Sequence, residues 1–236
     1  MGLARGVLQD GALRLERVTL GTAGESAAAN ISQWIAGQEH FVLALDAPLG
    51  WPAPLSRALS SHMAGERVEP SADELFRRET DRLVHKRVGK LPPDVGADRV
   101  ARTTRAALEL LAAVRAQTTR PIPLAFAQGA EAGVIEVFPA ATLIARGVSG
   151  VGYKSETPRG RKARRELLDR LGRELDVAAS RDVMIEDANL FDAMVCVLAG
   201  ADFARGLCAP PLDLERARKE GFIWFRATGQ RALFGE

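Results

Sequence analysis

The sequence predicts a mixed α/β domain, and three features predict it. An Asp10-Gly11 dipeptide splits two alternating segments near the start. Two runs, "FVLALD" and "GVIEVFPAA", are apolar without alternation, as strands covered on both faces are. Around them lie longer segments with the period of amphipathic or buried helices.

Taken in order, "ARGVLQDGALRLERVTLG" reads as a β-hairpin, because Asp-Gly accepts the positive φ of a tight turn. "ESAAANISQWIAGQ" reads as a helix that stops near Gly37. "FVLALD" is the first buried strand, and a Pro-Leu-Gly-Trp-Pro turn bends the chain away from it. "PSADELFRRETDRLVHKRVG" predicts a helix opened by a Ser71/Glu74 capping box and closed near Gly89. "DRVARTTRAALELLAAVRAQ" is an amphipathic helix, and "GVIEVFPAA" is the second buried strand, ended by Pro139. "RGRKARRELLDRLGREL" is a basic amphipathic helix. "EDANLFDAMVCVLAGADFARG" is apolar nearly all round and belongs in the core, and "EGFIWF" reads as a short final strand. The organisation expected is one domain, 1–236, with a helical insertion over 53–120.

A chain of 236 residues suits this, and a hydrophobic fraction of 47% can build a substantial core. The net charge of +2 excludes an argument from a global basic field. His40, His62 and His85 are scattered, and Cys196 and Cys208 are too few for a disulfide framework or a cysteine zinc site. No stretch is long and apolar enough to span a bilayer, and no signal peptide opens the chain; the expectation is a cytoplasmic protein with no membrane partner.

Three carboxylates stand in surroundings that should repel charge: Asp46 after "VLAL", Glu136 inside "VIEVF" and Asp192 inside "NLFDAMVCVL". Burying an unpaired carboxylate costs several kcal/mol even after relaxation. Parallel strands deliver their carboxyl ends to a common crevice, where ligands bind. If Asp46 and Glu136 end neighbouring strands and the Asp192 helix crosses that edge, the three converge. Converging like charges need protons or a cation, and a hard divalent ion, Mg²⁺ or Mn²⁺, suits oxygen ligands. Each residue also has a structural reading. Asp46 can cap a turn, Glu136 can pair with an arginine, and Asp192 can accept from a backbone amide. Taken jointly, the shared cation is favoured.

The stretches "LALDAPLGWP", "RRETDRLVHK", "IEVFPAATL" followed by "GYK", and "NLFDAMVCVLAG" resemble a known family, the predicted ribonuclease H-like nucleases called domain of unknown function 429. The resemblance runs from "GLARGVL" to "EGFIWF". It implies a ribonuclease H-like mixed sheet flanked by helices and metal-dependent cleavage of a phosphodiester in DNA or RNA. It implies Asp46, Glu136 and Asp192 as acidic ligands. It also implies that Arg78, Thr80, Asp81 and Arg82 line the cleft, with Tyr153 and Lys154 near it. Asn189, one helical turn before Asp192, stands where related folds place another acid, and its carbonyl could coordinate. On this reading two ions about 4 Å apart clamp the scissile phosphate, and arginines of the insertion and of "PRGRKARR" hold flanking phosphates. The same arginines also suit a solvated face paired with Glu166 and Asp169.

The family pattern opens with a Gly-[Ile/Val]-Asp strand ahead of the hairpin, bringing the first metal-binding aspartate. Here Met1 stands already within the second strand. The strand so missing would be the central one, between "ARGVL" and "VLALD". The expectation is therefore a start codon further upstream and an inactive form as given; the alternative is a hairpin paired directly with "VLALD".

Other functions are weighed against this one. "GVSGVGYKS" matches the phosphate-loop pattern at Gly147 and Gly152, but Tyr153 takes the lysine position, which excludes a phosphate-loop NTPase. A phosphotransferase of the actin and sugar-kinase type also places an aspartate at an equivalent strand end, but no glycine-rich phosphate hairpin or second copy of the fold is present. A non-catalytic nucleic-acid-binding or structural protein of the same fold is the third reading.

Overall fold

A computed structural model of the chain describes residues 1–21, 26–96, 98–129, 132–177 and 180–227. Its architecture is α/β, with four strands and ten helices named along the described chain.

Strands β1 (Gly2–Gln9) and β2 (Ala12–Leu20) form the hairpin, with Asp10 and Gly11 at φ 50° and 80°. Both central residues therefore take the left-handed conformation that a two-residue turn demands and that Asp-Gly tolerates. Helix α1 (Ala27–Ile35) follows, then β3 (Phe41–Leu45), which pairs in parallel with β4 (Ala132–Glu136) in the register Leu45↔Glu136. Between these strands lie α2 (Ala53–Leu59), α3 (Ala72–Phe76), α4 (Glu79–Val88) and α5 (Asp98–Ala116). After β4 come α6 (Pro139–Ile144), α7 (Pro158–Leu171), α8 (Arg181–Glu186), α9 (Ala188–Ala204) and α10 (Leu214–Glu220).

The β3–β4 pair is covered on both faces, as its apolar runs require. Val42, Ala44, Ile135 and Val137 pack with Cys196, Ala199 and Phe203 of α9. Phe41, Leu43, Leu45 and Val134 pack on the other side with Ile31 of α1 and Leu111 and Val114 of α5. Beyond β4 the chain adds isolated bridges at Leu124 and Ile223, the latter through Trp224 N–H donating to the Glu136 carbonyl at 2.9 Å. "EGFIWF" thus contributes a bridge, not a full strand. The hairpin's Leu13 and Leu15 pack with α7, α8 and the other side of α9. Helix α9 is buried nearly all round, matching its composition.

The alternative in which the hairpin pairs directly with β3 is not seen among the described residues: β1 and β2 form one two-stranded sheet and β3 and β4 another, and α9 packs against both. One expectation is corrected. The single helix expected from Ser71 to Gly89 is two. The Ser71/Glu74 capping box opens α3, but Arg77 and Arg78 are extended and α4 restarts at Glu79. The break has a cause: an extended Arg78 can send its side chain inward, and its backbone N–H donates to Asp81 Oδ2 at 2.8 Å. Among the described residues no helix is long and apolar enough to cross a membrane.

Candidate functional site

Side chains alternate along a strand, so the register fixes which carboxylates can meet. Glu136 lies opposite Leu45 and shares the face of Val134, toward α1 and α5. Asp46, one residue beyond Leu45, continues the face of Val42 and Ala44, toward α9. The two carboxylates end neighbouring strands, as expected, yet leave the sheet on opposite sides.

On the α9 side, Asp46 and Asp192 come together. Solvent reaches the Asp46 side chain, but protein crowds it from most directions. That crowding, then the charge of Asp192, raises its pKa to about 7, with Lys154 pulling the other way. Asp192 accepts from Tyr153 Oη at 2.5 Å through one oxygen and from Lys154 Nζ at 2.9 Å through the other. Lys154 is 58% exposed and its ammonium stands 5.8 Å from the Tyr153 ring centre. Partial burial works against its charge, but Asp192 and then Asp46 outweigh it and raise its pKa. Tyr153 is buried beside Phe191, and that burial, with Asp192, holds its hydroxyl protonated far above the usual range. Cys196, one turn after Asp192, hydrogen-bonds the Asp46 backbone; burial pushes its thiol up, so it is no nucleophile.

On the other side, Glu136 is closed off. Arg78 Nη1 and Nη2 donate to its two oxygens at 2.8 and 2.6 Å, and Leu49 N–H donates at 3.0 Å. The same guanidinium grips Asp81 through Nε at 3.1 Å and Nη2 at 2.9 Å, and reaches the Glu220 carbonyl at 3.2 Å. Burial opposes the charge on Arg78, and Glu136 and Asp81 outweigh it, so the guanidinium stays protonated. Burial pushes the Glu136 carboxyl up while Arg78 pulls it back. Glu220 completes the cluster by accepting from the N–H groups of Ala53 and Glu79, each at 2.9 Å. Gly221, at φ 84°, passes so close that a Cβ would lie 2.9 Å from Glu136 Oε2.

The expected three-carboxylate convergence is thus realised by Asp46 and Asp192 and not by Glu136. Arg78, Thr80 and Asp81 do not line an open cleft: all three are sealed in the interior, with Thr80 Oγ1 accepting from Ile223 N–H at 2.9 Å. Arg82 is partly exposed and held by Asp73 at 3.0 Å. Asn189 is exposed on the first turn of α9, its backbone N–H bound to Asp187, which caps that helix. Among the described residues no group of three or more His, Cys, Asp or Glu side chains is arranged to hold a metal ion. The donor set that does exist, two carboxylates with Asp46 lifted toward neutrality by burial first and by Asp192 second, fits a single hard cation. Glu136, buried and gripped by Arg78 on the other side of the sheet, does not join it.

Sequence reasoning missed Arg164. It was counted in the basic face of α7, yet its side chain is fully buried. The only hint was its position four residues before Leu168, on the helix's apolar side.

The model of the family described as a protein of unknown function, DUF429, matches residues 2–216. The chain belongs to this family. No match to it was found among curated proteins or among solved structures. The matched stretch includes Arg78, Asp81 and Glu136 of the closed cluster and both Asp46 and Asp192, while Glu220 lies beyond it.

Proposed function

We propose that this DUF429 protein is a ribonuclease H-like, metal-dependent nuclease, hydrolysing phosphodiester bonds of DNA or RNA. The observation that carries the reading is the Asp46–Asp192 pair. Two carboxylates from separate elements lie within electrostatic reach of one another at a solvent-reached rim, with Lys154 paired to Asp192 beside them. Such a pair is costly as a structural device, and a cation relieves it. Asp46 and Asp192 would hold Mg²⁺ or Mn²⁺, which when bound supplies Lewis acidity toward the phosphate and a water.

The chain's own residues have distinct parts. The Tyr153 hydroxyl fixes one Asp192 oxygen and leaves the other to the exposed Lys154. The exposed Lys154 ammonium offers a positive charge to a phosphate oxygen. Exposed Arg159 and Arg165 on α7 follow the Tyr153–Lys154 loop and can hold flanking phosphates. The closed Glu136–Arg78 cluster anchors Leu49, and with it the turn after Asp46. A cytoplasmic setting goes with two free, buried thiols.

The test is cleavage of DNA, RNA and hybrid duplexes with Mg²⁺ or Mn²⁺, by the chain and by its Asp46→Asn variant. Cleavage that needs the metal and is lost in the variant supports the reading; full activity in the variant ends it. A second reading, a non-catalytic nucleic-acid-binding or structural protein, draws support from the engagement of Glu136 by Arg78. Nucleic-acid binding without metal-dependent cleavage would favour it.

A further inference from the structure

Arg164 is a buried cation without a carboxylate. Among the described residues no ion pair involves it, yet its side chain is completely enclosed. Its partners among the described residues are backbone carbonyls. Nε donates to Ile185 O at 2.7 Å and Nη2 to Glu186 O at 3.2 Å. Nη1 donates to Tyr153 O and, at 3.0 Å, to Ser155 O. Burying a guanidinium on neutral acceptors is expensive, so the placement calls for a reason beyond filling space.

The carbonyls fall into two pairs. Tyr153 and Ser155 flank Lys154. Ile185 and Glu186 end α8, where the last carbonyls lack helical partners and the helix dipole favours a cation. The next residue, Asp187, is the N-cap of α9, accepting from Asn189 and Leu190 N–H at 2.7 and 3.2 Å. That cap sets where Asp192 stands on α9. One planar fork therefore ties the loop of Tyr153 and Lys154 to the start of the helix that bears Asp192. Lysine, with a point charge and three donors, cannot reproduce a fixed fan of this kind. A second feature serves the same junction: a Cβ at Gly160, on the first turn of α7, would lie 1.8 Å from Ser155 O. Glycine there lets the loop carbonyl come within reach of Arg164.

We infer that Arg164, helped by Gly160, is the positioning residue that brings Tyr153 and Lys154 onto Asp192. Its functional meaning rests on the nuclease reading of that site, but its geometry does not.

Tyr153 is the chain's single tyrosine, so a tyrosine labelled with ¹³C at Cζ gives one signal that reports its hydrogen bond. Asp192→Ala supplies the reference for a lost acceptor. At fixed pH, Arg164→Gln is expected to move the signal toward that reference, with Arg164→Lys between it and the wild type. Gly160→Ala should move it the same way, although alanine is the better helix former and α7 itself does not suffer. A merely structural role would lower Tm and leave the signal of the folded protein in place. An unmoved signal in folded Arg164→Gln, or in Gly160→Ala, overturns the inference. If Arg164→Gln does not fold, Arg164→Lys and Gly160→Ala decide. No substrate enters the measurement, so an absence of nuclease activity sinks the preceding proposal without touching this one.

Discussion

Glu136 and Asp46 end adjacent parallel strands one register step apart, yet they live in opposite conditions. Glu136 has every strong partner a carboxylate can use: a bidentate arginine and a backbone amide, all out of water. Asp46 sits beside a second carboxylate, with a lysine as the nearby compensating charge and solvent at hand. A satisfied buried charge holds a structure in one state. An unsatisfied charge at a rim is held by its surroundings until something binds. The difference teaches that the side of the sheet, not the strand end, separates anchoring from chemistry here.

The sharpest way to break the comparison is to open the closed side. Arg78→Met strands Glu136 and Asp81 without a cation, and losing one partner of a buried pair costs about 3–5 kcal/mol. For a chain of this size that is a fall in Tm of about 10 °C, read by calorimetry. Glu136→Gln should lower Tm in the same direction while leaving the Mn²⁺ affinity of the folded protein unchanged, as measured by isothermal titration. Next comes the open side. Asp192→Asn should weaken Mn²⁺ about a hundredfold, roughly 2.7 kcal/mol, with little change in Tm. A hundredfold loss from Glu136→Gln instead would merge the two regions into one site.

A smaller effect depends on pH. Burial, then Asp192, lifts the Asp46 pKa from its ordinary 3.8 to about 7, so the folded state favours its neutral form. The stability this carboxyl contributes is complete below pH 4 and is lost as pH rises through 7. Asp46→Asn should therefore leave Tm unchanged near pH 4 and raise it at pH 8. Solvent access cuts the full electrostatic value, leaving about 1 kcal/mol. Mn²⁺ affinity of the unaltered protein should rise from pH 6 to pH 8, because the proton and the ion compete for the same oxygens. The smallest effect concerns partners. Arg159→Ala and Arg165→Ala should each reduce the salt slope of nucleic-acid binding by about 1, without changing sequence preference.

Much of the fold was legible because local chemistry dictated it. Asp10-Gly11 specified its turn, the apolar girth of α9 specified its burial, and "FVLAL" specified a strand covered twice. Asp46, Glu136 and Asp192 were legible as a group because charge in an apolar run is rare, and two of the three come together. The side on which Glu136 emerges was not, since it depends on a register that only the paired strands set. Nor was the break at Arg77–Arg78. Local helix propensity favours continuing there, and the gain that stops it lies 58 residues away at Glu136. Arg164 was nearly hidden for the same reason: in "KARRELL" only its spacing from Leu168 separates the arginine that turns inward from the one that does not.

Helix α9 packs against both small sheets. It carries Asp192, while β3 leads into Asp46 and the hairpin rides on its flank with Gly6 so near that a Cβ would stand 2.4 Å from Val197. Helix α9 is thus an axle between two plates, and the aperture between the carboxylates is set by how it seats. A methyl group at Gly6 would prise the hairpin from the axle and retune that aperture.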